Sequence, residues 1–326
     1  MLILTRDDVA ELLDPVELID ALARAMVDLS AGRASMPPRN AANTSHKDGL
    51  LAAMPAYVPS LDTLSSKLLT VFPHNRDRPT HQGVIVCFDP DYGSPTVLMD
   101  AGHVTEMRTA AGSALATRLL ARDDAKVMAI VGTGAQARSH AQLVSRERPF
   151  QKVLIAGRDP DKAAHLAAEL RGEMRLQMES EPSIRSAVEQ ADVICAATHS
   201  PEPVVERDWI RAGTHINSVG YNTAGREIGP DTVADAIVVV ESRAAALAPP
   251  PAGANDLLWA IKDGTVSKDH VHAEIGEIVA GSATGRTSAD QITLYKSVGV
   301  AVEDAASAAL VLDAARDRGV GASFYL

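Results

Sequence analysis

Cysteine is almost missing from this chain: 326 residues contain only Cys87, in "GVIVCFDP", and Cys195, in "DVICAAT". Each lies inside an apolar run that reads as a buried strand, so inert core thiols are expected rather than a disulfide or a catalytic pair. Aromatic side chains make up only 3% of the residues, and positive charge is outnumbered, leaving a formal net charge of -11. An acidic, Ala-rich globular protein is expected, and a nucleic-acid or anionic-membrane surface is disfavoured. A long apolar run is also lacking at the start, where "MLILTRDD" stays apolar for four positions before charge appears. Neither a signal peptide nor a membrane anchor can be built there, so a cytoplasmic location is expected.

What is present is a regular alternation that begins near residue 126. The apolar runs "KVMAIVG" (126–132), "KVLIAG" (152–157), "DVICAAT" (192–198), "THINSVG" (214–220) and "AIVVVES" (236–242) alternate with helical stretches such as "DPDKAAHLAAELRG" and "SIRSAVEQA". Short continuous apolar runs between helices predict a parallel sheet covered on both faces, a doubly wound α/β domain of Rossmann type. The first 120 residues differ. Helical "DDVAELLDPVELIDALARAMVDLSAG" precedes "GLLAAMPAYV", "SSKLLTVFP" and two runs joined by "DPDYGSP", which predicts a hairpin in an antiparallel or mixed sheet. "HVTEMRTAAGSALATRLLA" reads as a helix leading into the nucleotide domain, and "KSVGVAVEDAASAALVLDAARDRG" as a long helix returning to the first domain. The boundaries expected are an α+β substrate-binding and dimerisation domain over 1–120, completed by a helix over 303–326, and a dinucleotide-binding domain over 121–302. The biased stretch "AAALAPPPAGA" (244–254) reads as a loop.

The sharpest motif is "VGTGAQA", which follows a buried strand and opens a helix. Gly132 permits the tight turn, Gly134 lets the backbone approach a pyrophosphate, and Ala137 takes the third position, where helix packs on strand. Free amides at the helix start then face phosphate. Where an NAD enzyme presents Asp or Glu to the ribose, this chain has Gly157 followed by Arg158. A guanidinium suits a 2′-phosphate, so NADP(H) is preferred and NAD(H) possible; the other reading leaves Arg158 in solvent and gives the ribose to Asp159.

The ordered set "MPPRN", "MPAY", "SSKLLT", "THQGVIVCFDP", "TEMRTAAGSALAT", "VGTGAQARSH", "THINSVG", "EIGEIVAG" and "YKSVGVAVED" resembles the ornithine cyclodeaminase/mu-crystallin family over nearly the whole chain. The resemblance implies a homodimer that performs hydride transfer at a carbon bearing nitrogen and a carboxylate. It also implies that Arg39 and Arg108 bind the carboxylate of a small amino or imino acid, and that Lys67 belongs to the substrate pocket, binding the carboxylate or positioning water for proton delivery. His81 lines the pocket as a proton donor or bonds the backbone. Ser113, Thr133, Gln136, Asn217, Ser218, Val219 and Ser297 fall at family-like cofactor positions, and Glu241 is either structural or caps the cofactor pocket. No metal is expected.

One departure bears on the reaction. Cyclodeaminases of the family carry an aspartate in a Gly-Asp-x-Pro-Gly-Lys segment after "SVG", whereas this chain reads "SVGYNTAGRE", placing Asn222 there. An amide cannot take a proton from an ammonium as a carboxylate can. The expected activity is therefore NAD(P)H-dependent reduction of a small cyclic imino acid, a ketimine such as a pyrroline- or piperideine-2-carboxylate. The alternatives are an ornithine cyclodeaminase, an alanine-type dehydrogenase, or a nicotinamide-dependent binding protein with little turnover.

Overall fold

The computed structural model describes residues 1–45, 47–250 and 252–325. The chain runs through β1 (Leu2–Leu4), α1 (Arg6–Leu12), α2 (Pro15–Ser30), β2 (Asn40–Asn43), β3 (Leu50–Val58), β4 (Thr63–Val71), β5 (His81–Phe88), β6 (Pro95–Asp100) and α3 (Ala101–Leu120). There follow β7 (Val127–Val131), α4 (Ala135–Val144), β8 (Lys152–Ala156), α5 (Pro160–Glu173), β9 (Gln177–Ser180), α6 (Ile184–Gln190), β10 (Val193–Ala196) and β11 (His215–Ser218). The remainder forms α7 (Pro230–Asp235), β12 (Ala236–Val240), α8 (Arg243–Ala246), α9 (Asn255–Lys262), β13 (Val271–Glu274), α10 (Ile275–Val279), β14 (Ile292–Lys296), α11 (Ala301–Arg318) and β15 (Ala322–Ser323).

Two compact units result, Met1–Arg108 with Gly299–Leu326, and Thr109–Val298. The first boundary thus falls inside α3, not at 120/121. The physical reason is that the second half of this helix bonds into the second unit: Ser113 Oγ meets His140 Nε2 at 2.9 Å and Thr117 Oγ1 accepts from Asn217 Nδ2 at 2.9 Å. The return crossing comes at 298/299, just before α11, rather than at 302/303.

In the first unit a seven-stranded sheet has the order β15-β1-β6-β5-β4-β3-β2, with only β1 and β6 parallel. The hairpin expected at "DPDYGSP" is the β5–β6 connection. The helical pattern near the N-terminus breaks in two because Pro15 follows Asp14: Leu13 turns extended, and the Asp14 carboxylate accepts from the N–H groups of Val16 and Glu17. Along β3 and β4 the pleat sends Ala52, Met54, Ala56, Ser65 and Lys67 to the buried side facing α11, while Leu51 and Leu68 stand 47% and 37% exposed on the other. α11 spans Ala301–Arg318 where a helix over 303–326 is expected, and it excludes the "KSVG" that opens the helical run because Lys296 ends β14 and Gly299 adopts φ 71°. It ends at a left-handed Gly319, after which β15 pairs with β1, a strand that two short residues give no sequence signal for.

In the second unit eight strands, all parallel, take the order β13-β12-β14-β11-β10-β7-β8-β9. This is the doubly wound sheet that the alternating runs predict. Its inner strands are almost wholly buried and legible as apolar runs, whereas the edge strands β9 and β13 are short and part exposed. Residues 243–246, at the start of the expected 244–254 loop, instead form α8, whose first turn is capped by Ser242; Pro251 lies outside the described residues. Both thiols are free and buried, and burial pushes each up to about 12. Among the described residues, no helix is long and apolar enough to cross a membrane.

Candidate active site

Ligands of an open parallel sheet sit beyond the carboxyl ends of its strands, where the winding direction reverses. Here the reversal lies between β7 and β10, and the glycine turn springs from β7. Gly132 has φ 130°, and a Cβ there would meet Ala197 O, at the end of β10, at 2.5 Å. Gly134, by contrast, opens onto free space, and no side chain caps the helix α4 that it begins. Bare amides beside an open glycine fit a pyrophosphate, which a Cβ would crowd out. Ala137 is fully buried, as its packing position requires. Next to the turn lies a pocket of about 250 Å³, lined by Thr133, Gly134, Ala135 and Arg138 and, from α5, by Lys162, His165, Leu166 and Glu169.

The other expected cofactor residues fall along the same strand ends, with differing freedom. Gln136 is half-buried in the first turn of α4. Asn217 and Ser218, at the end of β11, are fully buried: Asn217 bonds Thr117 and His215, and Ser218 Oγ donates to Glu227 at 2.7 Å. Val219 is half-buried and its N–H donates to Ala196 O at 3.0 Å. Ser297 donates to Glu241 Oε1 at 2.5 Å, and Val298 N–H donates to the other carboxylate oxygen at 2.9 Å. Glu241 thus ties down the segment after β14. Ser113 is likewise buried against His140, whose ring burial drives down to about 4.

Beyond β8, a Cβ on Gly157 would come within 2.9 Å of Thr133 Cγ2, so glycine here also makes room for the phosphate turn. Asp159 caps α5, accepting from Asp161 and Lys162 N–H at 3.1 and 3.2 Å. That engagement explains the aspartate without a ribose. Arg158 is exposed.

The expected substrate cations lie in the first unit, and three of them converge. Lys67 Nζ, on the covered face of β4, bonds Asp304 Oδ1 at 2.8 Å and Thr105 Oγ1 at 3.4 Å. Arg108 Nη1 donates to Glu303 Oε2 at 2.6 Å, and its Nε lies 3.4 Å from Asp304 Oδ1. Both acidic residues sit in the first turn of α11 and are buried, as are Lys67 and Arg108. Glu303 also accepts from Val300 N–H at 3.0 Å, closing the helix start. Gly299 joins the two arginines: Arg39 Nη2 donates to its carbonyl at 2.8 Å, and a Cβ on it would lie 2.6 Å from Arg108 Nη1 and Nη2. Burial lowers Lys67 to about 8 against the support of Asp304, with Arg108 adding to the drop. Glu303 and Asp304 escape sequence reasoning because acidic residues in a first helical turn read as simple dipole partners.

His81 does not join this group. It is exposed, with its Nδ1 3.2 Å from Thr80 Oγ1, and it pairs with Val71 four positions along the ladder from Lys67, about 13 Å away. Asn222, in the second unit, is a loop staple: Nδ2 donates to His199 O at 2.7 Å and Oδ1 accepts from Ala224 N–H at 2.8 Å.

The sequence profile of the ornithine cyclodeaminase/mu-crystallin family matches residues 1–319. A Delta(1)-pyrroline-2-carboxylate reductase of Bacillus cereus is 32% identical over 325 residues, 98% of each chain. The structure of the Thermococcus litoralis Delta(1)-pyrroline-2-carboxylate reductase with NADH and L-proline is similar with a TM-score of 0.95 at 36% identity, covering 99% of this chain and 100% of the other. An archaeal alanine dehydrogenase dimer with bound NAD has a TM-score of 0.92 at 29% identity, covering 100% and 99%.

The arginine pair makes Gly299 testable. Gly299→Ala forces an L side chain into the left-handed region, costing about 1–2 kcal/mol, and drives a methyl into the Arg108 guanidinium. Thermal unfolding should show the loss, and, on the expectation that Arg39 and Arg108 bind a carboxylate, calorimetric titration with small carboxylates should show affinity down by roughly tenfold or more. Unchanged carboxylate binding would separate Gly299 from the arginines.

Proposed function

Because the chain belongs to the ornithine cyclodeaminase/mu-crystallin family, we propose that it is an NAD(P)H-dependent reductase of a small cyclic imino acid, a pyrroline- or piperideine-2-carboxylate. The observation that carries this reading is the group formed by Arg39, Lys67 and Arg108 with Glu303 and Asp304. With Lys67 protonated it sets three cations against two anions, which leaves one positive charge for a monoanionic carboxylate. Arg39 and Arg108 supply the planar donors that grip it. Lys67 lies in the same group with a proton that burial has loosened, suited to charging the imine nitrogen. A bound reduced nicotinamide supplies the hydride; Gly132, Gly134 and the start of α4 would hold its pyrophosphate. The Bacillus and Thermococcus relatives named for pyrroline-2-carboxylate reduction support the same substrate class.

The cyclodeaminase reading is disfavoured by Asn222. Its amide is already directed at His199 O, where a carboxylate would meet a carbonyl dipole end-on. Purified protein should oxidise NADPH with 1-pyrroline-2-carboxylate or 1-piperideine-2-carboxylate, and give neither ammonia nor proline from ornithine with NAD. Ammonia and proline in equal amounts would restore the cyclodeaminase; ligand binding without any turnover would favour a binding protein.

NADPH is the preferred form in this reading, since Asp159 is engaged in capping α5 and Arg158 and Lys162 stand exposed beside the end of β8. The relatives with bound NAD or NADH leave this preference to experiment. Arg158→Ala should weaken NADPH by about ten- to a hundred-fold while sparing NADH, measured by fluorescence titration. Equal effects on both would remove the 2′-phosphate from Arg158.

The protein is proposed to act as a cytoplasmic homodimer. The uncovered face of the first unit's sheet carries Leu51, Leu68, Val84, Val86 and Leu98, an apolar surface suited to a second copy. Light scattering should give twice the chain mass, and Leu51→Asp with Leu68→Asp should shift it toward one. A monomeric parent protein would end this proposal.

A further inference from the structure

Two lysines of this chain are buried with an aspartate oxygen at 2.8 Å, and their surroundings drive them in opposite directions. Lys296 lies in the second unit. Burial opposes its charge, but Asp256, Glu227 and Glu241 outweigh burial and raise it above the ordinary lysine range. Its remaining protons go to Ser218 Oγ at 2.9 Å and Gly220 O at 3.0 Å. Such an ammonium is held in its charged form. Lys67 meets a mixed environment instead. From α11 it faces Asp304 and Glu303, from α3 it faces Arg108 and Thr105, and its direct neighbours Met54 on β3 and Ile85 on β5 are apolar. Within this set Asp304 is the carboxylate in hydrogen-bond contact, since Glu303 is bonded to Arg108 and Val300.

Asp304 is also used unevenly. Its Oδ1 serves Lys67 and lies near Arg108 Nε, whereas its Oδ2 is buried with no hydrogen-bond partner among the described residues. A buried carboxylate with an unsatisfied oxygen is costly, and an asparagine of the same shape would fill the space without the charge. Packing alone therefore does not account for an aspartate here.

The geometry points to Asp304 as a positioning residue that keeps Lys67 charged and aimed, so that Lys67 delivers the proton in imine reduction. This rests on the imino-acid reading above. The Nζ–H bond breaks and an N–H bond forms at the ring nitrogen, giving an iminium. The hydride taken from the reduced nicotinamide adds to the carbon, the C=N electron pair moves to nitrogen, and the dinucleotide is left oxidised. Lys67, now neutral, regains its proton from water.

The test is Asp304→Asn, read in two ways. First, the parent enzyme loses kcat/KM on the alkaline side near pH 8, and in the variant this limb moves toward acid by about one to three pH units, with activity recovering as pH falls. Second, the folded lysine titrates below its unfolded value, so stability rises with pH between the two. The variant lowers the folded value further, so its deficit in melting temperature against the parent is larger at pH 6 than at pH 9. Parallel pH profiles and a deficit independent of pH would overturn the proposal. Where Asp304→Asn does not fold, adding Lys67→Met should rescue it by removing the charge to be held; failure of that rescue also overturns it. A parent protein that reduces no imino acid would instead refute the reading beneath it, and the melting curves still decide whether Asp304 holds the charge.

Discussion

Two carboxylates in the first turn of α11 have to be neutralised in the dark of the protein. Glu303 and Asp304 are 0% and 1% exposed, and ions so placed persist only when an opposite charge or a donor is held against them. Glu303 meets the requirement through Val300 N–H and Arg108, Asp304 through Lys67. The partners come from different elements, Lys67 from β4 and Arg108 from α3, so satisfying the helix start also fixes strand, helix and turn in the first unit. The positions of both cations are set before any ligand arrives. Preorganised charge of this kind acts without reorganising at the moment of reaction, which is where such sites gain most.

The second unit solves a related problem with the opposite balance. Glu227 accepts from Thr198 N–H, Thr198 Oγ1, Ser218 Oγ and Gly220 N–H, while Asp256 accepts from the N–H groups of Glu227 and Ile228. Lys296 sets a single positive charge against the pair, 2.8 Å from Asp256 and 3.9 Å from Glu227. Every element of this network stabilises the segment that leaves β11, the one in which Asn222 replaces an expected aspartate. A fixed frame around an exposed loop tip allows a different residue there without disturbing the sheet edge.

Much of this architecture is legible from residue types alone. The inner strands of the parallel sheet are continuous apolar runs, and the glycine turn is readable because Gly132 needs both a positive φ and the space against Ala197. Edge strands such as β9 and β15 escape because their few residues are part exposed and carry no periodicity. Arg39, Lys67 and Arg108 cannot be grouped by spacing, since contacts that join residues so distant in sequence depend on register and topology. Only the family resemblance puts them together beforehand. Glu303 and Asp304 carried a signal that is easy to miss: they interrupt a stretch of Ala, Val and Ser, residues 301–308, that is buried on every side. Charges in such a setting need internal partners, whereas a solvated first turn would alternate with exposed positions.

The charge pattern also bears on what kind of nitrogen the first unit can receive. Under the imino-acid reading, the ligand brings one carboxylate for the arginines and one nitrogen for Lys67. A diamino acid would bring a second amine, an ammonium at neutral pH, which needs an anionic or basic acceptor to lose its proton. Glu303 is already tied to Arg108 and to the helix start, and Asp304 to Lys67. Taking either carboxylate for a substrate ammonium would leave a buried lysine or arginine without its partner, a loss of several kcal/mol by the usual cost of breaking such a pair, about 3–5 kcal/mol. An imine already closed into a ring asks for none of this, because its single nitrogen needs to gain a proton, and Lys67 is the group placed to give one.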